Sequence, residues 1–186
     1  MDIRRRAMTP YIKKMAGGGR RPPKVSSIEI FWSWIGAFIG ITPIAWLNYN
    51  YFSGNDFVYI IGSFGASAVL IYGAVRSPLA QPRNLVGGHV LSAFIGVASW
   101  QLFYTCPWFA AAFSVATAIA VMHFTQTLHP PGGATALIAV IGSDKIHDLG
   151  FLYVLIPVGL GVMIMLIVAL IINNMAKNRK YPEFWL

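Results

Sequence analysis

"TQTLHPPGGATALIAVIG", residues 125–142, sets one histidine, two prolines and two glycines inside otherwise apolar sequence of helical length. Proline disfavours the helical region for the residue before it, so His129 cannot continue a helix arriving from upstream. Pro130 and Pro131 suit the first turn of a new helix. One helix therefore stops at His129 and another begins at once. Neither proline has an N–H, so the first free donors are Gly132, Gly133 and Ala134, with no side chain on the glycines to block close approach. A helix N-terminus carries about half a positive charge, and the Thr135 hydroxyl joins it within one turn. The stretch thus predicts a cradle for a small anion. Two readings stand at this point: a tight turn between helices at the membrane surface, or a break within the membrane that lines a polar path. The following segment, 130–142, is shorter than the roughly 20 residues of a full span, which favours the second.

Composition settles the solvent. Of 186 residues, 56% are hydrophobic and 11% charged, with a mean hydropathy of +0.62. That is too apolar for a soluble domain of this size. Apolar segments fall at 30–47, 57–75, 85–103, 108–127, 130–142 and 149–172, each bounded by charges, Gly, Pro or Asn. The expected fold is all-α and polytopic, with six transmembrane helices. A net charge of +8 would suggest nucleic acid in a soluble protein. Here 13 of the 14 Lys and Arg fall on one side of a six-span arrangement, with Lys145 alone opposite. This is the positive-inside pattern of a multi-pass protein of a bacterial inner (cell) membrane with both termini cytoplasmic, and it removes nucleic acid as a partner.

Residues 1–25 form a basic tail with no apolar run before Ile28, hence no secretory signal pattern. It either lies on anionic lipid or serves only to set topology. The transmembrane domain is expected over 26–174, with a short cytoplasmic tail at 175–186. Cys106 is the single cysteine, so neither an intrachain disulfide nor a thiolate metal site is expected.

An internal repeat is visible. "GASAVLI" at 65–71 returns as "GATALIA" at 133–139, with small and hydroxyl residues in step. Each copy is the middle segment of three, and the two sets open on "FWSWIGAF" and "PWFAAAF". A second copy placed after three crossings must be upside down relative to the first, so the repeats, about 28–103 and 107–173, have inverted topology. The first copy would present Gly65, Ala66 and Ser67 as the second presents Gly133, Ala134 and Thr135, preceded by the breaker "GSFG".

The motif "LHPPGGATAL", together with "QPRNLVGGHVLSAFIGV" at 81–97 and the tail "KNRKYPEFWL", closely resembles the HPP family of small integral membrane proteins over residues 26–186. That resemblance implies nitrite transport. Carried over by position, it points to His129, Pro130, Pro131, Gly132, Gly133, Ala134 and Thr135, then to Gln81, Pro82, Arg83, Asn84, Gly87, Gly88 and His89. The family is described with four spans, against the six segments read here. Some relatives carry regulatory domains after the membrane part, which this chain is too short to hold. Nitrite also suits the cradle on physical grounds: its dehydration is costly, and a neutral backbone site offsets that cost without holding the ion permanently.

Intramembrane ionisable groups are functional candidates. His129 could donate to a bound oxygen or carry a proton; His89 and His123 lie within helices, and His147 is expected to be solvated in a loop. The substrate-binding candidates are therefore His129, Gly132, Gly133, Ala134, Thr135, Gly65, Ala66, Ser67, Asn84, His89 and His123. No metal site, cofactor or catalytic group is expected, since no carboxylate pair or ligand cluster lies within the apolar segments. The function expected is a transporter or channel for nitrite, with formate, nitrate or chloride as alternative cargoes and a non-transporting membrane scaffold or assembly protein as the alternative class. At 20.4 kDa per chain, self-association into a homo-oligomer is expected.

Overall fold

The computed structural model describes residues 14–15, 19, 23–51 and 62–186. Most of the basic tail and positions 57–61 of the second apolar segment lie outside the described residues. Within them the chain is all helical, with no strand. α1 is Ser27–Tyr51; α2 is Gly62–Ala68, continued by a wider π turn at Val69–Gly73. A 3₁₀ turn at Pro78–Ala80 leads into α3, Pro82–Phe103, followed by α4, Pro107–Phe124, and α5, Pro130–Ile141. The short α6, Asp144–Asp148, precedes a kinked π segment at Val154–Gly159 and then α7, Leu160–Met175. Proline starts α3, α4 and α5, where its missing N–H costs nothing and its fixed φ is already helical.

Among the described residues, four helical stretches are long and apolar enough to cross a membrane: Ser27–Asn50, Pro82–Phe103, Pro107–Phe124 and Val154–Met175. Gly62–Gly73 and Pro130–Ile141 are apolar but shorter. The 12 residues of α5 rise about 18 Å, well under the hydrocarbon thickness of about 30 Å. The expected sixth segment, 149–172, is divided at Ile156, whose backbone leaves the helical region just before Pro157. The "GSFG" expected to break the second segment is itself helical, within α2.

Hydrogen bonds fix which ends meet. Arg179 pairs with Glu29 at 2.8 Å, and the Arg76 guanidinium donates to the Asn178 carbonyl at 3.0 Å. The start of α1, the end of α2 and the end of α7 therefore share one end of the bundle. Trp100 stacks on His147 at 3.9 Å, placing the end of α3 beside α6 at the other end. His147, expected to be solvated, is half-buried and donates to the Val140 carbonyl at 3.0 Å.

α3 and α5 pack at backbone distance. A Cβ at Gly132 would lie 2.7 Å from the Gly88 carbonyl oxygen, and one at Gly96 would lie 2.5 Å from that of Ala136. α7 is tied to α2 through Tyr72 Oη, which donates to the Met165 carbonyl at 3.0 Å, and Asn173 Nδ2, which donates to that of Ile71 at 2.9 Å. Trp34, Phe38, Phe94, Trp108, Phe124, Leu155, Ile167 and Ile171 all face outward. So large an apolar exterior has lipid as its solvent.

The C-terminal tail closes over the Val75–Gln81 turn. Gln81 Nε2 donates to the carbonyls of Val75 and Ser77, and its Oε1 accepts from the Glu183 N–H. Burial pushes the Tyr181 phenol above its ordinary range, keeping it a neutral donor to the Ala80 carbonyl at 2.8 Å. The motif pair "QPRN" and "KNRKYPEFWL" is thus one structural clamp.

Candidate functional site

The site begins where α4 stops. Gln126 adopts a left-handed backbone (φ 58°), its N–H bonding the His123 carbonyl and that of Thr127 bonding Met122 at 2.8 Å. These two bonds are the Schellman closure of a helix. The chain then extends to His129, which sits at φ −138° and ψ 102° ahead of Pro130. α3 grips this stretch. Arg83 donates to the Thr125 carbonyl and Asn84 Nδ2 to that of Leu128, both at 2.9 Å. A Cβ on Gly88 would stand 2.5 Å from that of His129. The extended stretch thereby carries the His129 ring into the interior, fully buried.

There it meets a line of polar groups. His129 Nδ1 lies 2.8 Å from the Leu79 carbonyl, which can only accept, so Nδ1 carries a proton. Its Nε2 is 2.9 Å from Ser67 Oγ, and that oxygen is 2.7 Å from His89 Nε2. His89 Nδ1 is 2.7 Å from Thr135 Oγ1, which donates to Ser63 Oγ at 2.8 Å. Ser63, Ser67, His89, His129 and Thr135 are all fully buried. The two rings lie 4.9 Å apart, Phe64 and His89 meet in a T-shaped contact at 5.7 Å, and Tyr153 Oη donates to the Thr135 carbonyl at 3.2 Å.

Of the residues expected to bind substrate, the structure brings His129, His89, Ser67 and Thr135 together. Asn84 stands one step back, holding the Leu128 carbonyl. The Gly132 amide donates to the His129 carbonyl at 2.7 Å, within the first turn of α5. Gly133 and Ala134 line an open apolar groove of about 490 Å³ with Val115, Ile119, Met122 and Leu137. Gly65 and Ala66 are exposed on α2, and His123 is exposed in the last turn of α4. Sequence reasoning missed Ser63, the Leu79 carbonyl and Tyr153. A signal existed for Ser63, which precedes Ser67 by four residues and shares its helical face.

The family description "HPP, transmembrane region" matches residues 22–182. Two transmembrane proteins of Dictyostelium discoideum are 49% identical over 178 residues and 46% identical over 180, each alignment covering 94% of this chain. The chain spans 57% and 63% of those relatives' own lengths. No solved structure matches. The HPP motif at the head of α5 and the Tyr181 to Ala80 bond of the clamp both lie in the matched region, and the chain belongs to the HPP transmembrane family.

Proposed function

We propose that this protein moves a small monoanion across its membrane, nitrite being the first candidate and formate, nitrate and chloride the alternatives. The observation that carries this reading is the buried line of Ser63, Thr135, His89, Ser67 and His129 in a bundle with an apolar exterior. Hydrocarbon offers such groups no water, and ionisable side chains kept at that cost line substrate or proton pathways. The placement of the short helices adds support. α2 and α5 touch in antiparallel sense, Ser63 against Thr135 and Ser67 against His129, as the middle helices of two inverted halves would.

In this reading the protein is a homo-oligomer in a bacterial inner membrane or its equivalent, and the end carrying Arg76, Arg83 and Arg179 faces the cytoplasm. Purified protein in proteoliposomes should take up nitrite saturably above protein-free vesicles. Correctly inserted protein that moves none of the four anions would remove the transport reading and leave the scaffold class.

A further inference from the structure

The polar line can be counted proton by proton. Five contacts run from the Leu79 carbonyl through His129, Ser67, His89 and Thr135 to Ser63, and each needs one hydrogen. With both rings neutral, one arrangement fills all five. His129 Nδ1–H donates to Leu79, Ser67 to His129 Nε2, His89 Nε2–H to Ser67, Thr135 to His89 Nδ1, and Ser63 to Thr135. The Thr135–Ser63 contact can also run the other way, with Thr135 donating to Ser63. A hydroxyl has one proton, so His89 Nδ1 must then supply its own, and Ser67 must turn to His89 Nε2. His129 Nε2 would face an oxygen with no hydrogen between them unless that ring holds a second proton. The second complete arrangement therefore contains one proton more than the first.

We propose that these five side chains form a single-proton store, filled and emptied as a unit. A proton arriving at Ser63 Oγ shifts each hydrogen one place along the line, and the positive charge comes to rest as the His129 imidazolium. It goes no further, because the Leu79 carbonyl accepts a hydrogen bond but cannot relay a proton. The line is thus a dead end at His129, suited to loading and unloading rather than to through-conduction. The two rings lie 4.9 Å apart with the Tyr153 phenol beside them on the Thr135 carbonyl, and their direct hydrogen-bond partners are hydroxyls and the Leu79 carbonyl. Resting on the transport reading, the store would carry one proton with each anion and make the transfer electroneutral.

The test begins with protein labelled with ¹⁵N-histidine in lipid nanodiscs. Above the loading transition the rings should be opposite tautomers, His129 protonated at Nδ1 and His89 at Nε2. On acidification, His129 should become doubly protonated in the same step that moves the His89 proton to Nδ1. Ser67→Ala should uncouple the two changes. Identical tautomers, or independent titrations in the wild type, would overturn the store without any need of a variant. In proteoliposomes holding a pH dye, nitrite entry should bring protons in at about one to one, after subtraction of protein-free vesicles. Nitrite uptake without protons would overturn coupling and leave transport standing. The tautomer switch without any anion flux would support the store and remove the transport reading.

Discussion

Ser67 and Thr135 occupy equivalent places in two like segments and bind opposite nitrogens of one ring, each 2.7 Å from His89. The likeness of "GASAVLI" and "GATALIA" thus has a physical counterpart. Two antiparallel short helices each offer a hydroxyl, and a histidine from a third helix closes the pair.

Removing either hydroxyl should cost more than shrinking it. Ser67→Ala leaves buried nitrogens of His89 and His129 facing no partner, each worth about 1–3 kcal/mol. Thr135→Ser keeps the oxygen and loses a methyl, at about 1 kcal/mol. Thermal unfolding in detergent should rank the two in that order, and nitrite flux should be abolished in Ser67→Ala alone. Equal stability and equal flux in both variants would show that Ser67 is not a link in the chain.

The glycines divide by what a Cβ would meet. At Gly88 it would press on the Cβ of His129 and stand 2.9 Å from the Thr127 carbonyl, neither of which can yield without moving the extended stretch. At Gly133 the nearest atom is Val115 Cγ1 at 3.9 Å, an ordinary contact. Gly88→Ala should therefore destabilise by about 1–3 kcal/mol and impair flux, while Gly133→Ala should be near wild type. Flux lost in Gly133→Ala but kept in Gly88→Ala would restore the Gly133 amide as the binding element.

How much of this was legible in the sequence depends on range. The start of α5 at Pro130 was legible, because proline acts on its immediate neighbours, but the stop was not: the helix expected to run to His129 ends at Phe124, closed by the left-handed Gln126. The contact of His89 with Thr135 was not legible either, since it spans 46 residues and depends on α3 meeting α5 at glycine-lined backbone. Nor could sequence show which face of α5 looks inward: both sides are apolar, so no amphipathic stripe orients it, and Gly133 turned toward Val115 rather than the cluster. Ser63 was obscured by Gly62 and Gly65, which are read as a break in the sequence but are helical in the structure.

Arg179 is the other buried commitment. Beside its ion pair with Glu29 it donates to Ser33 Oγ, to the carbonyls of Tyr72 and Glu29, and to Asn173 Oδ1. Glu29→Gln removes one partner and leaves those four, so a loss of about 1 kcal/mol is expected, the Glu29 side chain being 31% exposed. Arg179→Ala unties α1, α2 and α7 together and should cost about 3 kcal/mol or more. Denaturation of the two variants in the same detergent decides this, and an Arg179→Ala protein no weaker than Glu29→Gln would refute the tie.

Topology is open to a labelling test. Ser143 and Asn178 are exposed at opposite ends of the bundle. In a Cys106→Ala background, Ser143→Cys should react with an impermeant maleimide on intact cells while Asn178→Cys reacts only after permeabilisation. Both labelled from one side would contradict the arrangement.

The closure of α4 offers the last prediction, and it isolates backbone from side chain. Gln126 holds a left-handed conformation, which costs a residue with a Cβ about 1–2 kcal/mol, yet its side chain is exposed. A glycine in its place would adopt that φ without penalty, so Gln126→Gly should raise stability by about 0.5–1 kcal/mol, part of the gain being offset by the greater freedom of the unfolded chain. A β-branched residue is the worst fit there, and Gln126→Val should lose about 1 kcal/mol or more. Because the turn aims Thr127 to His129 at α3, the valine variant should also disturb the His129 signals in a ¹⁵N-histidine spectrum, whereas the glycine variant should leave them unmoved. A valine variant with wild-type stability and unchanged His129 signals would mean that contacts of α3 with residues 127–129, rather than the helix closure, set the position of the ring.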